Sequence, residues 1–564
     1  MGKRAVLLVV VGLTCGCAVG PNYKKPVVNT PPVYRGVTPE EAAKGEARSL
    51  ADEKWWEVFQ DEQLKELVKT ALQQNYDVRI AAARILQARA QLGITRADQF
   101  PTIAGDAEAT NQRSPRSKFL PAFETSANQV GGSLAWDLDF WGKYRRATEA
   151  ARADLVASEW ARREVITALI ANLAAGYFQL RALDLQLEIS QRTLASRRDS
   201  LRLTSLLAQG GSTSMLDVRQ AEQLVFTAAS EVPSLEQQIE QEENFISTIL
   251  GNNPAAVPRG RKLTEQEHPP TVPAGLPSSL LERRPDIRQA EEQLISANAQ
   301  IGVARAAYFP QISLTATAGY QSSALTSLFS GPAGLWNFGG ALTQPIFTAG
   351  KLRSNVRLTQ ARQQEFLLRY QQTIQGAFRD VSDSLVAYRK TQEFRQQQEL
   401  LVASAQDASR LSHMRYSGGV ASYLEVLTNE TNYFSAELGL VQAQLNELLA
   451  LVQLYQALGG GWEQLVSRFA LCSVASPMKT GVSNDCISRV EGLNFEPAAF
   501  LVILRIFECA SSVPLWLNYP SAKSHAALSL ASHVVHASRC LARRLHRLSS
   551  NSLRTRRSHP ANAG

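Results

Sequence analysis

The 564-residue sequence predicts a mainly α-helical protein that also carries a membrane β-barrel portion, arranged as an internal two-fold repeat. Three observations predict it. Sequence markers recur at one spacing, two stretches are regular enough for very long helices, and four short segments alternate apolar with polar residues.

The repeat sets the organisation. Phe100-Pro101 recurs 209 positions later as Phe309-Pro310. Gly142-Lys143, Gly210-Gly211 and Leu216-Asp217-Val218 recur 208 positions later as Gly350-Lys351, Gly418-Gly419 and Leu424-Glu425-Val426. This period is far longer than a solenoid repeat and marks a duplicated domain. Each half is expected to run strand pair, long helix, glycine turn, long helix.

From Lys143 to about Leu207 there is no Pro, and Gly176 is the only Gly. Ile166, Ile170, Leu173, Tyr177, Leu180 and Leu187 follow at spacings of 4, 3, 4, 3 and 7, a coiled-coil-like seam. Phe378, Val381, Leu385 and Tyr388 repeat the 3-4-3 spacing in the second half. A helix of ~65 residues is ~97 Å long and must pack lengthwise against equals. Pro233 is expected to interrupt and bend the returning helix of the first half.

The strands are short and amphipathic. In Ser133 to Phe140, Leu134, Trp136, Leu138 and Phe140 share one face, and Ser133, Ala135, Asp137 and Asp139 the other. Ile312 to Tyr320 and Trp336 to Thr343 alternate likewise, and Thr102 to Thr110 is a weaker fourth member. A sandwich would alternate too, but no further strands exist to cover an apolar face. Segments with one apolar and one wet side suit a membrane barrel, which must close because open edges in lipid leave backbone groups unpaired. Single-chain barrels use about eight strands or more, so four per chain imply that several chains share one barrel.

Composition excludes other classes. From Glu463 onward the chain holds twelve Lys/Arg and five Asp/Glu, so seven of the eight net positive charges lie there. The nearly neutral body lacks the concentrated basic surface that nucleic acid requires. There is no cysteine between Cys17 and Cys472, as suits an oxidising compartment. No HExxH, paired CxxC, phosphate loop or nucleophile elbow occurs, and His413 stands alone on a helix, so no enzyme and no metal site is expected.

The N-terminus reads as a targeting segment. Lys3 and Arg4 precede an apolar run, Ala5 to Leu13, too short to span a bilayer. Gly16 before Cys17 resembles a bacterial lipoprotein processing site, with Cys17 as the lipidated residue; a plain secretory signal is the alternative. No later stretch offers 18 uncharged apolar residues, so no membrane helix is expected. The boundaries are then 1–16 signal, 17–60 lipid anchor and extended linker (proline-rich from Gly20 to Pro39), 61–270 first repeat, 271–462 second repeat and 463–564 basic tail.

Several strings carry a family resemblance. They are Cys17 through Pro26 (CAVGPNYKKP), Trp55-Trp56 with Phe59, Arg283 through Ile287 (RRPDI), Ala304 through Pro310 (ARAAYFP), Pro345-Ile346-Phe347, Gly350 through Arg353 (GKLR), and Arg415-Tyr416 through Leu424. In order, over residues 17 to 462, the chain resembles the outer membrane efflux protein family, related to TolC, in its NodT/OprM-type lipoprotein branch. The resemblance implies a TolC-like homotrimer in the bacterial outer membrane. Each protomer would give four strands to a 12-stranded β-barrel and its long helices to a periplasmic α-helical barrel. It implies a passive exit duct for drugs or other small molecules in a tripartite efflux system. The partners would be a periplasmic membrane-fusion adaptor and an inner-membrane RND-type transporter, with a covalent lipid on Cys17 and no other cofactor. A periplasmic adaptor or a structural coiled-coil lipoprotein is the alternative, against which the amphipathic strands and duplicated hairpins argue.

The resemblance also assigns sites. Gly210, Gly211, Gly418 and Gly419 become periplasmic tip turns contacting the adaptor, a role compatible with simple helix capping. Asp217 and Glu425 match acidic positions that ring the pore constriction; the alternative is solvated carboxylates at helix starts. Tyr416 matches a latching tyrosine, with Asp217 as its expected partner. Thr428 stands where many members carry an acid, and Ala421 replaces an arginine of some relatives, which implies fewer charges and latch contacts.

After Gly459-Gly460-Gly461-Trp462 the character changes. Residues 463–564 hold four cysteines, five histidines and arginine runs, with no family resemblance. We read them as a translated extension or frameshift product, largely disordered; the alternative is a genuine appended segment that binds a membrane or partner through its arginines. Mass spectrometry of the native protein should find no peptides beyond Arg468, and such peptides would overturn the frameshift reading.

Overall fold

The long helices run almost where the periodicity puts them. In the computed structural model, α4 spans Lys143–Gln209 and α8 Lys351–Ser417, 67 residues each. Each turns into a 35-residue return helix, α5 Met215–Ile249 and α9 Tyr423–Ala457. The two hairpins correspond at an offset of 208, as their glycine markers do. Before them lie two 22-residue helices, α3 Tyr76–Ala97 and α7 Pro285–Ala306, offset by 209 like their Phe-Pro markers. Among the described residues three shorter helices complete the set: α1 Trp55–Val58, α2 Glu62–Gln74 and α6 Pro277–Arg283. The structure describes residues 18–35, 49–116, 118, 121–266, 275 and 277–462. The signal, Cys17 and the basic tail lie outside them.

The predicted seam is the core. Ile166, Ile170, Leu173, Tyr177 and Leu180 are buried, as are Val381 and Tyr388 of the second half. α4 is the spine, with α3, α5, α7 and α9 packed along it, while α8 packs on α7 and α9. The middle of α4 is apolar enough for a membrane span, yet it lies buried in this bundle. Pro233 does not interrupt α5, which continues unbroken to Ile249. A proline removes one donor and crowds one carbonyl, and packing on α4 holds the rest of the ladder. Between Asp61 and Gln99 the chain forms two helices, not one. Asn75 ends α2 and caps α3: its Oδ1 accepts from Asp77 N (2.8 Å) and Val78 N (3.1 Å), and its Nδ2 donates to Ile249 O (2.8 Å).

Four strands form one antiparallel sheet in chain order: β1 Thr102–Ser114, β2 Phe123–Leu138, β3 Gln311–Ser322 and β4 Gly334–Thr343. The register pairs Ile103 with Leu134, Leu134 with Ala316, and Ala316 with Phe338, so the apolar residues of all four strands share one face. Asp106, Ser133, Thr317 and Asn337 share the other. The apolar face is open, with Trp336 82% and Phe338 70% exposed. β2 begins ten residues before the strand read from alternation, because Phe123–Gly132 is mostly polar on both faces and is paired only by β1 and β3.

One buried carboxylate ties the middle of the bundle. Asp61 caps α2 through Gln63 N (2.9 Å) and Leu64 N (3.2 Å). It also accepts from Tyr177 Oη (3.0 Å), Arg261 N (3.0 Å) and Gln266 Nε2 (3.1 Å). Burial pushes its pKa up, but the hydrogen bonds from Gln266, Leu64, Tyr177 and Arg261 together hold it below its ordinary value. A folded-state pKa below the unfolded one adds stability above the ordinary carboxylate range, and this is lost as pH falls through the folded value. Asp61→Ala strands five donors and should cost about 3 kcal/mol, read as a lower midpoint in thermal unfolding at pH 7. The gap between variant and parent should narrow in acid below pH ~4.

Candidate functional site: the helical tip and the membrane collar

The far ends of the hairpins are built alike. Gly210 closes α4 and Gly211 turns the chain with φ +72°; Gly418 closes α8 and Gly419 turns it with φ +71°. Ser212 N donates to Leu207 O (2.8 Å) and Gly211 N to Ala208 O (3.0 Å). Val420 N to Arg415 O (2.9 Å) and Gly419 N to Tyr416 O (3.0 Å) repeat the pattern, a Schellman stop at each tip. Leu206 and Leu216, with their repeat mates Met414 and Leu424, stand exposed beside these turns.

Asp217 sits in the first turn of α5 and completes its cap. Its carboxylate accepts from Thr213 Oγ1 and from Ser214 N (3.2 Å), while Ser214 Oγ accepts from Asp217 N (3.3 Å). The Thr213 hydrogen bond is the main reason its pKa lies below the ordinary value. Both cap bonds use Oδ2 of Asp217, and among the described residues no hydrogen bond joins Tyr416 to Asp217 within the chain as the expected latch would. Tyr416 instead packs its ring on Tyr423, 5.3 Å between centroids. Around them Ala221, Leu201, Leu224, Val426 and Leu427 join all four long helices just above the tip. Glu425 pairs with Arg415 Nε (3.1 Å) across the second turn, a partner the sequence reading did not give it. His413, read as standing alone, lies 2.8 Å from Glu430 between α8 and α9.

The opposite ends of α4 and α8 meet the sheet at an aromatic collar. Trp141 stacks on Phe309 at 4.7 Å and its Nε1 donates to Pro310 O (2.7 Å); Trp136 Nε1 donates to Gln99 O (3.1 Å). Such rings suit the water–lipid boundary. The stretch read as an extended linker is pinned here. Val19 N donates to Trp141 O (3.0 Å), Arg146 Nη2 to Asn22 Oδ1 (2.7 Å) and Asn298 Nδ2 to Pro21 O (3.0 Å); Lys25 pairs with Glu291 (3.5 Å). Gly20 makes the approach possible, since a Cβ there would lie 2.5 Å from Gly302 Cα. The family string Gly20-Pro21-Asn22 is thus a docking motif, a role that low hydrophobicity and a proline concealed.

These features can be compared with known proteins. The family model described as "Outer membrane efflux protein" matches residues 67–252 and again 276–460. The chain belongs to the outer membrane efflux protein family. It is 37% identical to the probable efflux pump outer membrane protein TtgC of Pseudomonas putida over 82% of this chain and 96% of TtgC. It is 33% identical to the cation efflux system protein CusC of Escherichia coli over 82% of this chain and 99% of CusC. The open state of the Neisseria gonorrhoeae MtrE outer membrane channel superposes with a TM-score of 0.73 at 32% identity, over 79% of this chain and 99% of MtrE. The TolC-like fold, the outer-membrane location and the role of efflux channel follow.

The efflux channel's tip turns make a direct prediction. Gly211→Ala and Gly419→Ala force a Cβ into left-handed backbone and should each loosen the local turn by about 1 kcal/mol. Hydrogen exchange should show faster exchange at Ser212 and Val420, with the Asp61 region unchanged.

Proposed function

We propose that this chain is the passive outer-membrane duct of a tripartite RND-type efflux system and works as a homotrimer. One observation carries the trimer. α7 is sandwiched between α4 and α8, whereas its repeat mate α3 packs on α4 and has no counterpart to the other helix. Along α7, α4 buries Ala150, Ala153 and Ala157; the repeat mates Leu358, Ala361 and Glu365 on α8 are exposed. By the repeat symmetry, α8 of a second copy covers α3. The unpaired edges of β1 and β4 fit the same arrangement, in which three sheets close into one 12-stranded barrel.

The remaining assignments rest on this assembly. A covalent lipid on Cys17 fits a chain whose next residue, Ala18, lies against Gly142 at the collar, so acyl chains would enter the membrane there. The turns at Gly210-Gly211 and Gly418-Gly419, with the exposed leucines beside them, form the face for a periplasmic membrane-fusion adaptor. Asp217, Glu425 and Tyr416 line the constriction, where Arg415 offsets the Glu425 charge and Asp217 supplies the stronger cation preference. The duct performs no chemistry, and the inner-membrane RND-type transporter supplies the energy and selects among drugs or other small molecules.

Dye efflux in a bacterium lacking its own channel, supplied with a matching adaptor and transporter, tests the reading. Residues 1–462 and the full chain should both restore efflux, and Leu358→Arg should abolish efflux together with the trimer band on a mild gel. If neither wild-type chain restores efflux while both reach the outer membrane as trimers, the efflux reading is wrong.

A further inference from the structure

The loop between β3 and β4 differs in chemistry from the β1–β2 hairpin at the same end of the sheet. The β1–β2 hairpin carries Arg113, Arg116, Lys118 and Glu124, with Arg113 and Glu124 paired at 3.5 Å. Between Gln321 and Gly350 there is no charged residue. Within that stretch the loop exposes Leu325 (70%) and Phe329 (73%).

Its placement is specific. Phe329 packs edge-on against Tyr320, 5.7 Å between centroids, and Tyr320 lies on the same sheet face as Trp336 and Phe338. The loop therefore folds onto the apolar side of the sheet rather than over the wet side. Several of its polar groups are paired locally. Ser322 Oγ and Ser327 Oγ share a hydrogen bond (2.6 Å), Ser330 Oγ donates to Ser327 O (2.7 Å), and Ala324 N donates to Ser322 Oγ (3.3 Å). Ser327 N reaches Ala324 O (3.2 Å), Ser330 N reaches Ser327 O (3.1 Å) and Ala333 N reaches Ser330 O (3.0 Å). An uncharged loop that pairs several of its own polar groups and exposes leucine and phenylalanine suits contact with the hydrocarbon edge of a bilayer.

We infer that the β3–β4 loop is a membrane wedge, seated among the acyl chains of the outer leaflet and continuous with the lipid-facing band of the barrel. The inference rests on the barrel reading, which assigns that band to lipid. Leu325 and Phe329 supply the inserted surface, while the charged β1–β2 hairpin stays in water. The wedge widens the apolar girdle at the outer boundary without lengthening any strand.

Spin labelling separates the possibilities. The full chain, with Cys472, Cys486, Cys509 and Cys540 replaced by Ser, takes a nitroxide at Phe329→Cys, at Phe338→Cys in the band and at Gln112→Cys on the wet face. It is reconstituted in lipopolysaccharide-containing vesicles, and collision rates with oxygen and with nickel-EDDA are read from power saturation. The label at 329 should behave as at 338, colliding with oxygen several-fold more than with nickel-EDDA, with the reverse at 112. A nickel-EDDA preference at 329 with lipid behaviour at 338 overturns the wedge alone; low collisions with both reagents at 329 mean burial in protein and overturn it too. Water-like behaviour at 338 overturns the barrel reading beneath it. If Phe329→Cys yields no trimer band, Leu325→Cys takes its place with the same outcomes.

Discussion

A backbone amide or carbonyl in hydrocarbon must find a partner or cost several kcal/mol. The sheet pairs β1 to β2, β2 to β3 and β3 to β4, and then stops with two edges open. Four strands cannot curl far enough to join their own ends, and in the trimer proposed above further copies of the chain supply the missing partners. The same incompleteness reappears in the helical part, where α3 lacks the second neighbour that α7 possesses. Both layers therefore ask for the same thing at the same place in the repeat, the flank of another protomer.

Duplication explains why so much of the molecule comes in pairs, and the differences within each pair locate its specialised jobs. Both tips stop with the same hydrogen-bond pattern at a glycine with φ near +70°. Yet the first is closed by the Thr213–Ser214–Asp217 cap and the second by the Arg415–Glu425 ion pair. The collar is likewise one-sided. In the first half the segment from Ala18 to Asn22 braces Trp141 and Arg146, while in the second half Ile346 and Phe347, just before α8, are almost fully exposed.

Much of this was legible in the residues because the relevant patterns are periodic. Seam residues at 3-4 spacing marked buried positions such as Leu173 and Tyr177, and marker offsets of 208 and 209 reproduced the correspondence of the helices. Strand alternation assigned the apolar face correctly but missed the first ten residues of β2, since polar residues on both faces carry no period. Segments without a period gave no sign of contacts made far along the chain. Gly20-Pro21-Asn22 looks like a linker until Gly302, Arg146 and Asn298 are brought beside it from more than a hundred residues away. Tyr416 and Asp217 lie on different helices, and the sequence reading did not include the cap that Thr213 and Ser214 make with the Asp217 carboxylate.

Rods as long as α4 convert angles into distances. Tyr177, held by Asp61, lies near the midpoint of the helix, and the tip is ~48 Å further on at 1.5 Å per residue. A tilt of one degree about that level displaces the tip by roughly 0.8 Å over a rise of this length. The stiffness of one buried carboxylate knot thus sets, in ångströms, how closely tips half a helix away can register on those of neighbouring copies.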